Sequence, residues 1–174
     1  YAVSSYTKRD SRGNLFNPKN GSLTDLSLSL SNSFVKLADQ SNDENTYITL
    51  QASWARYQPW RPTIIKKKFN WTLATRLKAG TIIDIGRVRS IPFTELFTAG
   101  GAMTVRGYQE QLLGPAAKLD EKGKIDEAAG GKLMFIANAE VRIPLFWLLV
   151  AEYFIDAGNV WREIGDFSPG TIRP

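Results

Sequence analysis

Phe69-Asn70-Trp71-Thr72-Leu73-Ala74-Thr75-Arg76-Leu77-Lys78-Ala79 decides the fold class. Phe69, Trp71, Leu73, Leu77 and Ala79 alternate with Asn70, Thr72, Arg76 and Lys78, so the period is two and one face is apolar while the other is polar or charged. A helix would mix the two sets on every side. A run of about eleven residues suits a tilted strand crossing a membrane's ~25 Å apolar band, and it exceeds the roughly five or six residues of an ordinary globular strand.

The same design recurs on both sides of this stretch. Leu26, Leu28 and Leu30 alternate with Ser27, Ser29 and Ser31, and Ile48, Leu50, Ala52 and Trp54 alternate with Thr49, Gln51 and Ser53. Downstream, Leu133, Phe135, Ala137, Ala139, Val141 and Ile143 alternate with Asn138, Glu140 and Arg142. With a weaker run at the start and another ending at Trp161, six antiparallel strands are expected, at 1–8, 22–37, 46–58, 67–85, 132–144 and 149–161. Turn chemistry in Asn17-Pro18-Lys19-Asn20-Gly21, a polar loop over 38–45, a connection over 58–68 and a tight return at Pro144-Leu145-Phe146-Trp147 separate them. Aromatics near the expected strand ends, Tyr47, Tyr57, Trp60, Phe69, Trp71, Trp147 and Trp161, read as interfacial girdles. The exception is 87–131, a long stretch with no sustained period; loops beyond about 12 to 15 residues are uncommon unless functional or disordered.

Composition excludes more than it asserts. The chain has 174 residues, 43% of them hydrophobic and 22% charged, which lies in the folded range. Its mean hydropathy of −0.23 looks soluble, but strands that alternate lipid-facing and lumen-facing residues average out that way. No apolar run approaches a spanning helix, the longest being 144–151. Cysteine and histidine are both absent, removing thiolate and imidazole metal ligands and the usual nucleophile–base pairs, so neither catalysis nor a cofactor is expected. The net charge of +5 and the run Lys66-Lys67-Lys68 fit a solvated turn better than a nucleic-acid surface, which would need a clustered stripe and stacking platform. The chain opens at Tyr1 without a charged n-region and apolar h-region, so a signal peptide is expected to have been removed or the natural start to lie upstream.

Six strands cannot close a membrane barrel, whose smallest form has about eight, and an open edge in lipid leaves backbone groups unpaired. The expectation is therefore an incomplete barrel domain spanning residues 1–174. The loop supplies a family likeness. Phe97-Thr98-Ala99-Gly100-Gly101-Ala102-Met103-Thr104-Val105-Arg106-Gly107-Tyr108 leads to Leu113-Gly114-Pro115 and Gly130-Gly131. Ala139-Glu140-Val141-Arg142-Ile143-Pro144-Leu145 and Phe154-Ile155-Asp156-Ala157-Gly158-Asn159-Val160-Trp161 follow in order. With Arg9-Asp10-Ser11-Arg12, Phe16, Pro18 and Gly21 upstream, nearly the whole chain resembles the bacterial outer-membrane assembly-factor (surface antigen) family of BamA- and TamA-like barrels. The resemblance implies about six strands of a sixteen-stranded transmembrane barrel, an inward-folded loop, and periplasmic domains and further strands outside this chain.

Strand parity puts Glu140 and Asp156 on the polar, inward side of adjacent strands, where two carboxylates make a seat for a cation. The resemblance implies which cation: Arg106, at the loop tip Val105-Arg106-Gly107-Tyr108, should contact both, through a planar fork that lysine lacks. Gly107 is expected to allow a conformation closed to other residues and Tyr108 to pack the tip against the wall, with Gly100 and Gly101 setting the preceding bend. Other readings of the pair are solvated lumen charges or a glycosidase-like acid and base; an arginine between them argues against split pKa values.

The implied function is insertion and folding of outer-membrane β-barrel proteins in a Gram-negative-type bacterium. Implied partners are outer-membrane lipids and lipopolysaccharide, client barrels, and accessory lipoproteins reached through periplasmic domains. Three other readings stay open. A two-partner secretion transporter shares the loop, the barrel anchor of a patatin-like lipase would carry Gly-x-Ser-x-Gly upstream, and a soluble β-sandwich would need no detergent.

Overall fold

A computed structural model describes residues 1–36, 42–64, 67–86, 91–119, 125–146 and 149–174. Its strands in chain order are β1 (Ala2–Asp10), β2 (Gly21–Lys36), β3 (Asn42–Trp60), β4 (Thr63–Ile64), β5 (Lys67–Lys68), β6 (Trp71–Asp84), β7 (Ala116–Leu119), β8 (Ile125–Ala128), β9 (Leu133–Pro144) and β10 (Val150–Trp161). Six of them form one antiparallel sheet in the order β1-β2-β3-β6-β9-β10, a meander that is not closed. The pairs β4-β5 and β7-β8 are small separate ribbons.

Register fixes the faces, because residues opposite one another across a ladder point to the same side. One row runs Asp10, Leu23, Ala55, Arg76, Asn138, Asp156, and it faces inward. Another runs Val3, Leu30, Ile48, Ile83, and it faces outward. On β6 the even residues Thr72, Ala74, Gly80 and Ile82 are buried, whereas Leu77, Ala79 and Ile83 are exposed. Leu28 is 48% exposed, Leu77 44% and Ile155 73%, all on the outward face. So large an uncovered apolar surface is a liability in water and fits contact with lipid.

The packed core lies between the wall and the loop rather than between two sheets. Ala99, Val105 and Leu113 of the loop meet Met134 and Ile136 of β9 and Val160 of β10, with Phe97 and Tyr108 at the margin. Val105 is 0% exposed. Gly80 makes room for the loop's entry: a Cβ there would stand 2.6 Å from the Phe97 ring. Backbone bridges Phe97–Gly131 and Ala99–Leu113 close the loop's neck.

Several expected features differ in detail. β3 begins at Asn42, inside the segment read as a polar loop, because Asn42 to Asn45 pair with Lys36 to Ser33; ladder bonds are made by the backbone whatever the side chains. Phe69 and Asn70 precede β6 instead of opening it, since the ladder ends at the Trp60–Trp71 pair. The long loop carries the β7-β8 hairpin and a short 3-10 turn at Phe93–Glu95. Of the aromatics read as girdles, Trp60, Phe69 and Trp71 cluster at the turn end of the sheet, with ring centroids 5.3 and 6.3 Å apart along the chain of contacts. Tyr47 and Trp161 do not belong with them: they are 2% and 5% exposed, Tyr47 facing inward opposite Asp84 and Trp161 covered by Phe167. Tyr57 also faces inward, opposite Ala74, and Trp147 and Lys66 lie outside the described residues.

The two-faced strand predicts opposite environments for adjacent residues. In the membrane-embedded protein, a spin label at Leu73 should be relaxed by oxygen and one at Thr72 shielded from it. Equal oxygen accessibility at the two positions would contradict the assignment of faces.

Candidate functional site in the lumen

Parity and register bring the two carboxylates together on the inward face. Glu140 of β9 stands opposite Phe154, and Asp156 of β10 stands opposite Asn138, one row away. Arg106 comes down onto them from the loop. Its Nε and Nη2 donate to Oδ2 and Oδ1 of Asp156, both at 2.7 Å, and its main-chain N–H donates to Oδ2 at 3.0 Å. Nη1 reaches Glu140 Oε1 at 2.9 Å. The Phe154 ring lies beneath the guanidinium, 3.6 Å from its carbon to the ring centroid. Arginine alone among cationic side chains offers this fork with a flat face for stacking.

Asp156 is 6% exposed and its charge is fully engaged. Asn138 Nδ2 donates to Oδ1 at 2.8 Å, so with the three donors of Arg106 its roughly four lone-pair sites are filled. The hydrogen bond to Asp156 raises the Arg106 pKa above its already high ordinary value, outweighing the opposing effect of burial. Glu140 is shared, taking Arg142 Nη2 at 2.7 Å and Nε at 3.1 Å on its other oxygen. A carboxyl available for acid or base work needs an oxygen that is not already committed, and here both oxygens of each carboxylate take donors.

The wall also grips the loop's backbone. Asn138 Nδ2 donates to Thr104 O at 2.7 Å, and Arg76, whose Nε donates to Asn138 Oδ1 at 3.0 Å, donates through Nη2 to Met103 O. A cavity of about 240 Å³ remains beside this cluster, bordered by Tyr57, Arg76, Met103, Arg106, Glu140 and Arg142.

The bend before the tip rests on glycines in the left-handed region. Gly100 has φ 109° and Gly101 φ 87°. A Cβ on Gly100 would lie 2.2 Å from Gln109 O. Thr104 Oγ1 accepts the Gly100 N–H and donates to the Gly100 carbonyl, each at 2.8 Å, and Gly101 N–H donates to Tyr108 O at 2.9 Å. Gly107 departs from the expectation: it is outside the positive-φ region and a Cβ on it would meet nothing within 4 Å. The backbone there turns by the Tyr108 N–H to Val105 O bond at 3.2 Å, which any residue can make. Tyr108 packs against the core.

The Omp85 superfamily domain matches residues 1–172. The chain belongs to the Omp85 superfamily. Over 96 residues this Omp85 chain is 35% identical to the outer membrane protein assembly factor BamA of Neisseria meningitidis serogroup B (strain ATCC BAA-335 / MC58), a match covering 52% of the chain and 12% of that protein. Its fold is similar to the crystal structure of BamA from Haemophilus ducreyi lacking POTRA domains 1-3, with TM-score 0.70 and 23% identity over 92% of this chain and 30% of that one. The Omp85 chain thus spans well under a third of the first relative and under a third of the second. It is an outer-membrane β-barrel sequence of the Gram-negative type.

Asn138, Arg76 and Phe154 are the site residues that sequence reasoning missed. Asn138 shares parity with Glu140, and Phe154 with Asp156, so each was on the right face; what alternation lacks is the cross-strand register that puts Arg76, Asn138 and Asp156 in one row.

The two kinds of glycine separate in a mutational test. Gly100→Ala should cost the seated loop about 2 kcal/mol through left-handed strain, whereas Gly107→Ala should stay within about 0.5 kcal/mol. Protease cleavage of the loop in the folded, detergent-solubilised protein reads the difference, and similar cleavage rates for the two variants would contradict it.

Proposed function

We propose that the protein inserts and folds β-barrel proteins into the outer membrane, this chain supplying part of the barrel wall and the loop seated against it. The observation that carries the reading is Arg106 held by Asp156 and Glu140 in a chain similar to an outer membrane protein assembly factor. That named relative favours insertion over secretion. Folding a client strand needs backbone partners and a locally thinned membrane, not bond cleavage, and β-augmentation at a seam in the closed barrel supplies the partners. No catalytic group or cofactor enters the proposal. A loop fixed on one wall keeps the lumen ordered while the seam elsewhere opens, and it ties β9 and β10 to β6 through Arg76 and Asn138.

Partners follow from this role: client barrels at the seam, outer-membrane lipids and lipopolysaccharide around the apolar belt, and accessory lipoproteins through periplasmic domains. Val105, Gly107 and Tyr108 flank the working arginine, while Gly100 and Gly101 shape its approach.

Reconstitution of the full-length protein in liposomes with an unfolded client barrel is the direct test. Client folding should be accelerated by the natural protein, and Asp156→Ala should lower that rate by about tenfold, as removal of one partner from a largely buried ion pair can. Clients folding no faster with the protein than without it would overturn the assignment.

A further inference from the structure

On the six-stranded sheet, the outward face carries two charged residues among strand positions whose side chains are described, and both are arginines. Register puts Arg9 of β1 in a row with Thr24 and Trp54, and Arg56 of β3 opposite Ser22 in the next row toward the turns. Both arginines are exposed. Every other described outward position on β6, β9 and β10 is uncharged, and the outward residues Leu26, Leu28, Leu50 and Leu77 form the apolar belt just beyond them. Among the described side chains of that face, no carboxylate is therefore at hand to neutralise either cation.

The location marks a membrane surface. Along the outward side of β3, Arg56 lies between Trp54 and Trp60, and Trp60 belongs to the aromatic cluster with Trp71 and Phe69. Amphipathic rings gather at the level of lipid headgroups, and arginine there lays its stem along apolar surface and sends its head to the boundary. An open recess of about 670 Å³ borders Arg56, lined by Asn20, Ser22, Trp54, Gln58 and Pro59 as well. Gln58, with its amide turned to accept, takes the Arg56 Nε and Nη2 hydrogens at 2.6 and 2.9 Å. A neutral acceptor orients the guanidinium without cancelling its charge.

We propose that Arg9, Arg56 and the hydroxyl of Thr24, walled by Trp54, form a site for the phosphate of a phospholipid headgroup at the turn-end surface of the membrane. The two arginines stand two strands and one row apart, roughly 12 Å, a gap that two extended side chains close around one anion. A phosphate accepts the fork of Arg9 and the Nη1–Nη2 edge that Gln58 leaves open on Arg56, and the Thr24 hydroxyl completes its donors. Its acyl chains run from there along the leucine rows. Such a lipid pins the tilt of the sheet at the β1–β3 side, where the apolar belt is most interrupted by polar residues. The inference rests on the outward face meeting lipid.

The test uses full-length protein in detergent, titrated with phosphatidylglycerol, with a phosphate-free galactolipid of the same chains, and with inorganic phosphate, bound lipid being counted by native mass spectrometry. Phosphatidylglycerol should bind in preference to galactolipid, and the double variant Arg9→Gln, Arg56→Gln should weaken it about tenfold while leaving galactolipid binding unchanged. Arg56→Lys, which keeps charge and loses the fork, should fall between. Equal phosphatidylglycerol affinity in the natural protein and the double variant would overturn the site. Inorganic phosphate binding there as tightly as the lipid would overturn the lipid as its occupant. A spin label at Leu77 monitors the premise separately: oxygen accessibility in membranes supports it, and shielding there removes the basis of the proposal before any lipid is counted.

Discussion

A guanidinium on a loop and a carboxylate on a strand, 50 residues apart in sequence, join the tip of the inward loop to the barrel wall. Asp156 takes three hydrogen bonds from Arg106, two from the side chain and one from the main chain, so both the position and the direction of the loop tip are set at one point. Charge alone is a poor source of stability in such a place, because two desolvated ions recover little beyond what water gave them. Here the apolar contacts of Val105, Leu113, Met134, Ile136 and Val160 supply the cohesion, and the ion pair supplies the register. Removing either partner is costly for a different reason: the remaining charge is left in a site built to be neutral.

The wall meets this constraint with an uneven inner face. Near the turn end it is polar and charged, with Arg76, Asn138, Glu140 and Asp156; toward the loop end Ile82, Met134, Ile136 and Val160 make an apolar patch bordered by Lys78 and Asp84. The outer face shows the complementary arrangement among the positions whose side chains are described, apolar through the belt and basic at Arg9 and Arg56. One sheet thus faces three environments: lipid outside, packed loop at one end inside, and solvated lumen at the other.

The strands were legible because a sheet with unlike faces writes its period into the side chains, as 69–79 and 22–31 do. Glu140 and Asp156 were legible for the same reason, and Arg106 through family likeness. What escaped was whatever the backbone decides. The extension of β3 to Asn42, the β7-β8 ribbon and the row joining Arg76 to Asn138 depend on ladder pairing that composition does not record. Met134 and Ile136 interrupt the simple polar reading of β9's inner face because the loop covers them, a fact belonging to another part of the chain. Gly107 misled for a simpler reason, since a glycine beside a functional arginine invites a conformational explanation that its open, ordinary backbone does not need.

If Arg106 and Asp156 hold the loop, they act as one unit. Native-state proteolysis of the loop, in full-length protein embedded in membranes, measures the free energy of loop opening for Arg106→Ala, Asp156→Ala and the double variant. Each single change should cost about 3 kcal/mol and the double little more than either, giving a coupling of at least about 2 kcal/mol. Costs that add to within about 0.5 kcal/mol would show that the loop is held without this pair.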